Sequence, residues 1–387
     1  MNFFQNKLFA VASLILALNI YGQTGFYEPI NLDEVKWSMD DFGRMWTFDN
    51  VPVDDFNNKY GFNPSKDWLL DVQKSALQFG GGCSAAFVSS DGLIMTNHHC
   101  GRNQLSEIQN EGEDLLKDGF YAESLEDERK VEGLFVDQLI FIEDVTEEIK
   151  NFMNTGKSDD EKINLKEQIK DSLEAKYELE TGLNCRIITL YHGGKYSLYG
   201  YKRYNDIRLV MAPDFQIAAT GWDWDNFTYP RYELDFMFYR AYDENGIPIK
   251  NENFFKWSKN GAEEGEPIFV VGRPGSTDRL ISFAQLEFLR DYSYKESLIG
   301  FNAIYNAYFD LYQKNTEKED LLLKVMSWGN ARKSYAGRLA GLKNSYIMKK
   351  KLDFENDLKK RVNESPELNE NYGEIWNSIK IVLDELK

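Results

Sequence analysis

Two short runs of small, β-branched and apolar residues flank a polar turn in the first third of the chain. The runs cover residues 85–89 and 93–96, and the turn between them is Ser90-Asp91-Gly92. Glycine adopts positive φ without a Cβ clash, so Asp-Gly between apolar runs predicts a β-hairpin. The second strand would bring two histidines, His98 and His99, to its own end.

A cysteine stands at each end of this predicted hairpin, Cys83 before the first strand and Cys100 after the histidines. The two can close the hairpin as a disulfide, which for a loop of this size contributes roughly 3 kcal/mol in the chain-entropy model. Such a disulfide would hold a histidine on a fixed backbone at a strand end. The third cysteine, Cys185, is left without a partner in this chain.

Further along, the apolar pattern switches between helical and strand periods. Ser158 followed by Glu161, with apolar residues every four positions, predicts a helix over 158–180. From residue 184 the period becomes two, and we predict strands at 185–191, 196–204, 207–211, 235–242 and 267–271. His192 lies in a predicted turn and is interpreted as a solvated loop residue. Many short strands at close spacing indicate a barrel or sandwich.

After about residue 279 glycine and proline become rare and the pattern is helical to the end. The last amphipathic helix, 375–386, runs to the end of the sequence without a cap, so we expect an incomplete helical domain. The predicted fold class is therefore mixed β and α. We assign residues 1–22 to a signal peptide, 23–280 to a β-rich domain and 281–387 to the α-helical domain.

Composition and charge narrow the class of protein. The 387 residues carry a net charge of −18, which argues against nucleic acid as a partner. Lys7 precedes an apolar run over 8–20 that is typical of a secretory signal, and no later run is long enough for a stable membrane span. We therefore expect a periplasmic or secreted protein, where a disulfide is chemically reasonable. A homodimer stays open.

The motifs around the hairpin resemble a known family. Gly-Gly-Cys-Ser-Ala at 81–85 and Thr-Asn-His-His-Cys-Gly at 96–101 resemble the bacterial serine dipeptidyl-aminopeptidases of the dipeptidyl-peptidase 7 and 11 family. The resemblance implies a chymotrypsin-like β-barrel, the first of two, followed by a helical domain. It also implies that His99, directly before the cysteine, is the general base and that no metal or cofactor takes part.

A second segment extends the resemblance. Asp-Asn-aromatic-x-aromatic-Pro-Arg at 225–231, with Asp-Phe four residues after the arginine, is similar to the family segment that carries the catalytic aspartate. This implies that Asp235 orients His99, and that Asn226 and Phe227 contact the free amino terminus of an oligopeptide substrate. A looser motif over 329–337 implies the same contact for Asn330.

The family's nucleophilic serine lies in a Gly-Asn-Ser-Gly loop far downstream, and this chain has no such loop. Ser276 and Ser84 lack the setting that places an oxyanion hole beside the hydroxyl. The resemblance therefore implies an exported serine dipeptidyl-aminopeptidase, which releases dipeptides from free amino termini. As a piece without its nucleophile, this polypeptide alone would be inactive or nearly so.

Three other hypotheses remain open from the residues alone. A nucleophile-free protein of the same fold could bind peptides without cleaving them. A carbohydrate-binding or carbohydrate-active protein could use the tryptophans and carboxylates over 222–225. A zinc site could be built from His98, His99 and Cys100, although adjacent strand residues point to opposite faces.

Overall fold

The structure is a computed structural model that describes residues 30–43, 45–219, 230, 232–273 and 279–387. Its internal contacts divide the chain into two compact units. The β unit is Arg44–Asp278, and the helical unit combines Met1–Gly43 with Arg279–Lys387.

Within the described residues the β unit contains one ten-stranded sheet. Its strands, in chain order, are β1 (Ala76–Phe79), β2 (Cys83–Phe87), β3 (Leu93–Thr96), β4 (Phe120–Tyr121), β5 (Arg129–Lys130), β6 (Val136–Asp144), β7 (Asn184–Leu190), β8 (Lys195–Tyr204), β9 (Asp206–Ala212) and β10 (Met237–Tyr242). Every pairing is antiparallel, in the order β4-β9-β10-β3-β2-β1-β6-β8-β7, with β5 also on β9.

The predicted hairpin is confirmed. Strands β2 and β3 pair with Ala86 opposite Met95, and Gly92 adopts a φ of 71° in the turn. The hydroxyl of Thr96 also donates to the carbonyl of Ser84 at 2.8 Å. The end of β3 is thereby fixed against the start of β2.

The sheet curves around its main core. Phe79 on β1 and Tyr239 on β10 are separated by two intervening strands, yet their ring centroids lie 5.1 Å apart. This contact requires the sheet to curl so that distant strands share one interior. The buried apolar side chains of that interior are Leu77, Phe79, Ala85, Phe87, Ile94, Leu105, Leu115, Leu116, Val131, Leu134, Val136, Tyr204, Ile207, Leu209, Ala212, Met237, Tyr239 and Ala241.

Two of the described α-helices of the β unit precede β1, and the others lie between strands in the sequence. They are α1 (Val53–Tyr60), α2 (Lys66–Ser75), α3 (His98–Gly101), α4 (Leu105–Ile108), α5 (Leu115–Asp118), α6 (Thr146–Met153), α7 (Asp159–Thr181) and α8 (Phe215–Ala218). Helix α7 confirms the sequence prediction, because the Ser158 hydroxyl accepts from the Glu161 amide at 3.2 Å. Its Leu173 packs with Ile149 of α6 and Leu198 of β8 in a second core.

The segment 267–271 corrects a sequence prediction, because it forms no strand. Ile268 is 70% exposed and Val270 is 99% exposed. A strand needs a partner for its backbone hydrogen bonds, and none of the described strands pairs with this segment. Alternation of apolar residues alone was therefore insufficient here.

The described α-helices of the helical unit are α9 (Phe283–Phe288), α10 (Tyr294–Gln313), α11 (Glu319–Lys343), α12 (Ser345–Glu364), α13 (Pro366–Tyr372) and α14 (Ile375–Glu385). A π-helical stretch, Leu289–Ser293, joins α9 to α10. Helices α10 and α11 pack together, with the rings of Phe301 and Tyr335 4.9 Å apart. Among the described helices, none is both long and apolar enough to cross a membrane.

Residues 30–43 pack against α12 of this unit, although the sequence assigned them to the β-rich domain. Trp37 and Phe42 each contact the ring of Phe354, with centroid distances of 5.1 and 4.6 Å. The Trp37 amide donates to the Asp353 carboxylate at 3.1 Å, and Lys350 pairs with Asp41 at 2.6 Å. The helical unit is therefore built from two stretches distant in sequence.

Replacement of Gly101 tests how tightly α3 packs against β10. A Cβ at this position would overlap the hydroxyl of buried Tyr239 and lie 2.9 Å from Met237 Sδ. We expect Gly101→Ala to lower the free energy of unfolding by about 1–3 kcal/mol, because the overpacked site must shift. Urea denaturation followed by tryptophan fluorescence measures the change.

The matched control is Gly82→Ala, since a Cβ there meets no atom within 4 Å. The control should change the free energy of unfolding by less than about 0.5 kcal/mol. Equal midpoints for the two variants would contradict the close approach of α3 to β10.

Candidate active site

The register of β3 against β10 creates the site. Met237 of β10 pairs with Thr96 of β3 in an antiparallel register. Two residues before Met237 is Asp235, and two residues after Thr96 the chain enters α3. The residues that follow β3 and the residues that precede β10 therefore meet at the same edge of the sheet.

The side chains of His99 and Asp235 form a hydrogen-bonded pair. His99 Nδ1 lies 2.7 Å from Asp235 Oδ2, and the His99 backbone amide donates to Oδ1 at 3.0 Å. The carboxylate thus holds both the ring and the main chain of the same residue. Because an ionised carboxylate can only accept, Nδ1 carries the proton and Nε2 is the nitrogen that can take one up.

Asp235 is held ionised by its donors. Its side chain is 20% exposed, against 52% for His99. Burial by itself raises the pKa of Asp235, but the hydrogen bonds from the His99 ring and backbone outweigh it and leave the pKa below its ordinary value. The pair therefore combines a shielded anion with a ring that reaches solvent.

His98, the neighbouring histidine, has the opposite environment. Its side chain is fully buried, and among the described residues neither ring nitrogen has a hydrogen-bond partner. Burial, with a smaller contribution from the positive charge of Arg102, lowers the pKa of His98 from 6.5 to about 4, although the Asp235 carboxylate partly opposes this. His98 is therefore neutral at neutral pH and does not compete for the anion.

Cys83 and Cys100 form a disulfide in the structure, with Cα atoms 6.2 Å apart. Their sulfurs and a His99 nitrogen are also the one set of potential metal ligands found close together in the described part of the chain. Sulfurs joined to each other cannot act as thiolate ligands, and His98 is buried away from them. The geometry therefore does not support the zinc hypothesis. Cys185 is a buried free thiol.

The structure describes only some of the other predicted residues. Asn330 lies exposed on α11 of the helical unit. Asn226, Phe227, Ser276 and the residues 222–225 of the carbohydrate hypothesis lie outside the described residues. Ser84 is described, and its hydroxyl accepts from the Arg273 backbone amide at 2.6 Å. His192 is exposed in the turn between β7 and β8, as predicted.

Sequence reasoning missed two residues beside the pair. Asn97 donates from its side chain to Asp235, and Arg102 places a mostly buried guanidinium near Asp235 and Glu233. Burial lowers the pKa of Arg102, and the two carboxylates oppose this. Asn97 stood inside the motif, and an asparagine before a helix is a usable signal. Arg102 had none, because the two carboxylates near it come from residues more than 100 positions away.

The chain contains three histidines, so ring signals in a nuclear magnetic resonance titration can be assigned with three single substitutions. We expect the His98 ring to stay neutral until the pH approaches 4. Since its pKa is lower in the folded state, the unfolded chain binds more protons between pH 6.5 and 4. The free energy of unfolding should therefore decrease as the pH is lowered across that window, by up to about 3 kcal/mol from this group.

Urea midpoints measured at several pH values check the slope. A His98 ring signal that titrates near pH 6.5 would contradict the buried, neutral state.

Curated relatives agree with the motifs. The chain is 30% identical over 302 residues to dipeptidyl-peptidase 7 of Phocaeicola vulgatus, covering 73% of this chain and 39% of that protein. It is 29% identical over 331 residues to the Asp/Glu-specific dipeptidyl-peptidase of Flavobacterium psychrophilum, covering 81% of this chain and 46% of the relative. The chain thus spans less than half the length of either relative.

Solved structures share the fold. A crystal structure of Porphyromonas endodontalis DPP11 in complex with the dipeptide Arg-Asp superposes with a TM-score of 0.70 at 24% identity, over 89% of this chain and 50% of that one. The complex of the same protein with Arg-Glu gives 0.69 at 22% identity, over 90% and 52%. At these identities the likeness establishes a mixed α/β fold with a large antiparallel sheet and a helical part.

The sequence profile described as Peptidase S46 matches residues 40–387, which is most of the chain. The match includes the hairpin, the histidine–aspartate pair and helices α9 to α14. This chain belongs to the peptidase S46 family.

Proposed function

We propose that this chain is the part of an exported serine dipeptidyl-aminopeptidase that carries the general base and its orienting aspartate. The single observation that supports it best is the 2.7 Å contact between His99 Nδ1 and Asp235 Oδ2. In this proposal the curved sheet is the first of two chymotrypsin-like β-barrels. The nucleophilic serine is assigned to no residue of this chain.

The chemistry follows from the orientation of the ring. His99 Nε2 takes the proton of a serine hydroxyl as that oxygen attacks the peptide carbonyl, and later gives it to the leaving amine. Asp235 keeps the proton on Nδ1 and stabilises the imidazolium as it forms. A ring half exposed to solvent, beside an anion held by main-chain and side-chain donors, suits this role.

The substrate class rests on the resemblance. We propose that Asn226 and Asn330 accept hydrogen bonds from the substrate's free ammonium group, and that the aromatic face of Phe227 attracts its charge. Binding of the amino terminus at a fixed distance from the scissile bond would limit cleavage to the release of dipeptides. Export is supported by the signal-like residues 1–22 and by the disulfide.

Substitution of the pair tests the proposed catalysis. The test uses the polypeptide translated from the complete reading frame, which is first sequenced past the codon for Lys387. In that protein we expect His99→Ala to lower kcat/KM for dipeptide release by roughly 1,000-fold or more. Asp235→Asn should cost a comparable factor, because the ring loses its fixed tautomer. Release of a fluorogenic group from dipeptide substrates measures the rates.

The matched control is His192→Ala, an exposed histidine of the same unit that should leave kcat/KM unchanged. Full activity of the His99→Ala enzyme would reject the catalytic role. A complete protein that binds peptides but releases no dipeptide would favour the peptide-binding protein instead.

Blocking the substrate's amino group tests the proposed binding of the amino terminus. A tripeptide with a free amino terminus should be cleaved and its N-acetylated form should not, because acetylation removes the charge and two of the donors. Asn330→Ala should raise KM for the free peptide, with Asn103→Ala as an exposed control. Cleavage of both peptides at equal rates would contradict recognition of the free terminus.

A further inference from the structure

Asn97 occupies a helix-capping position but does not cap its helix. It immediately precedes α3, with an extended backbone at φ −77° and ψ 146°, and its side chain makes no capping hydrogen bond. Asparagine at this position ordinarily accepts from a backbone amide of the first helical turn. Here that amide belongs to His99 and donates to Asp235 Oδ1 instead.

The freed side chain of Asn97 binds Asp235 at two points. Its amide nitrogen lies 3.0 Å from the Asp235 backbone carbonyl and 3.2 Å from Oδ2. Both partners only accept, so the nitrogen and not the oxygen of the amide must face them. Asn97 therefore does not form the usual N-cap hydrogen bond, and its side-chain amide donates to Asp235 across the edge of the sheet instead.

From this geometry we propose that Asn97 is a positioning residue that fixes the orientation of the Asp235 carboxylate. By joining Oδ2 to the main chain of the same residue, it opposes rotation of the carboxylate about its Cβ–Cγ bond. Oδ2, the oxygen that accepts from His99 Nδ1, then stays directed at the ring. The inference rests on the proposed function only for its catalytic consequence.

A neutral donor is the appropriate group for this task. A lysine or arginine at position 97 would also orient the carboxylate, but its charge would offset the attraction of Asp235 for the imidazolium. An amide donates without adding charge. Asn97 is also exposed, so its substitution removes a hydrogen bond with little loss of packing.

Two variants separate positioning from capping. Aspartate and serine are both good residues at a helix N-cap, so Asn97→Asp and Asn97→Ser should preserve α3. Aspartate keeps the shape but replaces the donor with an acceptor, and serine is too short to span both contacts. Asn103, exposed in the same segment and with no side-chain hydrogen bond to any described residue, supplies the controls Asn103→Asp and Asn103→Ser.

The tautomer of His99 is the measurement. In the 387-residue chain with ¹⁵N-labelled histidine, the native ring should carry its proton on Nδ1. We expect both Asn97 variants to shift the tautomer ratio toward Nε2–H by about 10-fold, the effect of one hydrogen bond to a charged group. The Asn103 variants should leave the spectrum unchanged, and a retained buried His98 signal reports an intact fold.

A His99 tautomer ratio that is the same in the Asn97 and Asn103 variants would overturn the inference. The readout needs no hydrolysis, so it is independent of whether His99→Ala abolishes activity. In the complete enzyme, Asn97→Asp should lower kcat about 10-fold with KM unchanged, because a tautomer defect affects proton transfer and not binding.

Discussion

The Asp235 carboxylate joins two parts of the chain that are 136 residues apart. It accepts from the ring of His99, from the backbone amide of the same residue and from the side chain of Asn97. These contacts cap the short helix α3 from outside and fix the histidine that follows β3. The register of β3 against β10 and the Cys83–Cys100 disulfide hold the segments that carry these atoms.

Two adjacent histidines have different environments because one side chain is buried and the other is exposed. His98 is sealed in the interior and stays neutral, whereas His99 keeps half of its ring exposed beside an anion. The difference comes from one step along the first turn of α3. A charged His98 would compete for the same carboxylate, and its low pKa removes that competition at neutral pH.

The supporting contacts around α3 leave little freedom to its backbone. The disulfide from Cys83 fixes Cys100, and the absence of a side chain at Gly101 lets Tyr239 approach closely. His99 therefore lies on a segment held from β2, β10 and the carboxylate at once. In the proposed function, such preorganisation would lower the reorganisation needed when the ring accepts a proton.

Much of this protein could be predicted from its sequence, because the relevant signals are local. The Asp-Gly turn, the cysteines that flank the hairpin, the capped helix after Ser158 and the helical character after residue 279 each depend on neighbours within a few positions, and the structure contains all of them. The pairing of His99 with Asp235 was predicted from the resemblance of their motifs to a known family and not from their spacing in the sequence.

Tertiary structure decided what depends on distant neighbours. Register between β3 and β10 determined that Asp235 reaches His99 and Asn97, because a slip of one residue would turn every side chain to the other face. Burial assigned different states to His98 and His99, and contacts with α12 placed residues 30–43 in the helical unit. The missing strand at 267–271 has the same cause, since a strand exists only where a partner is present.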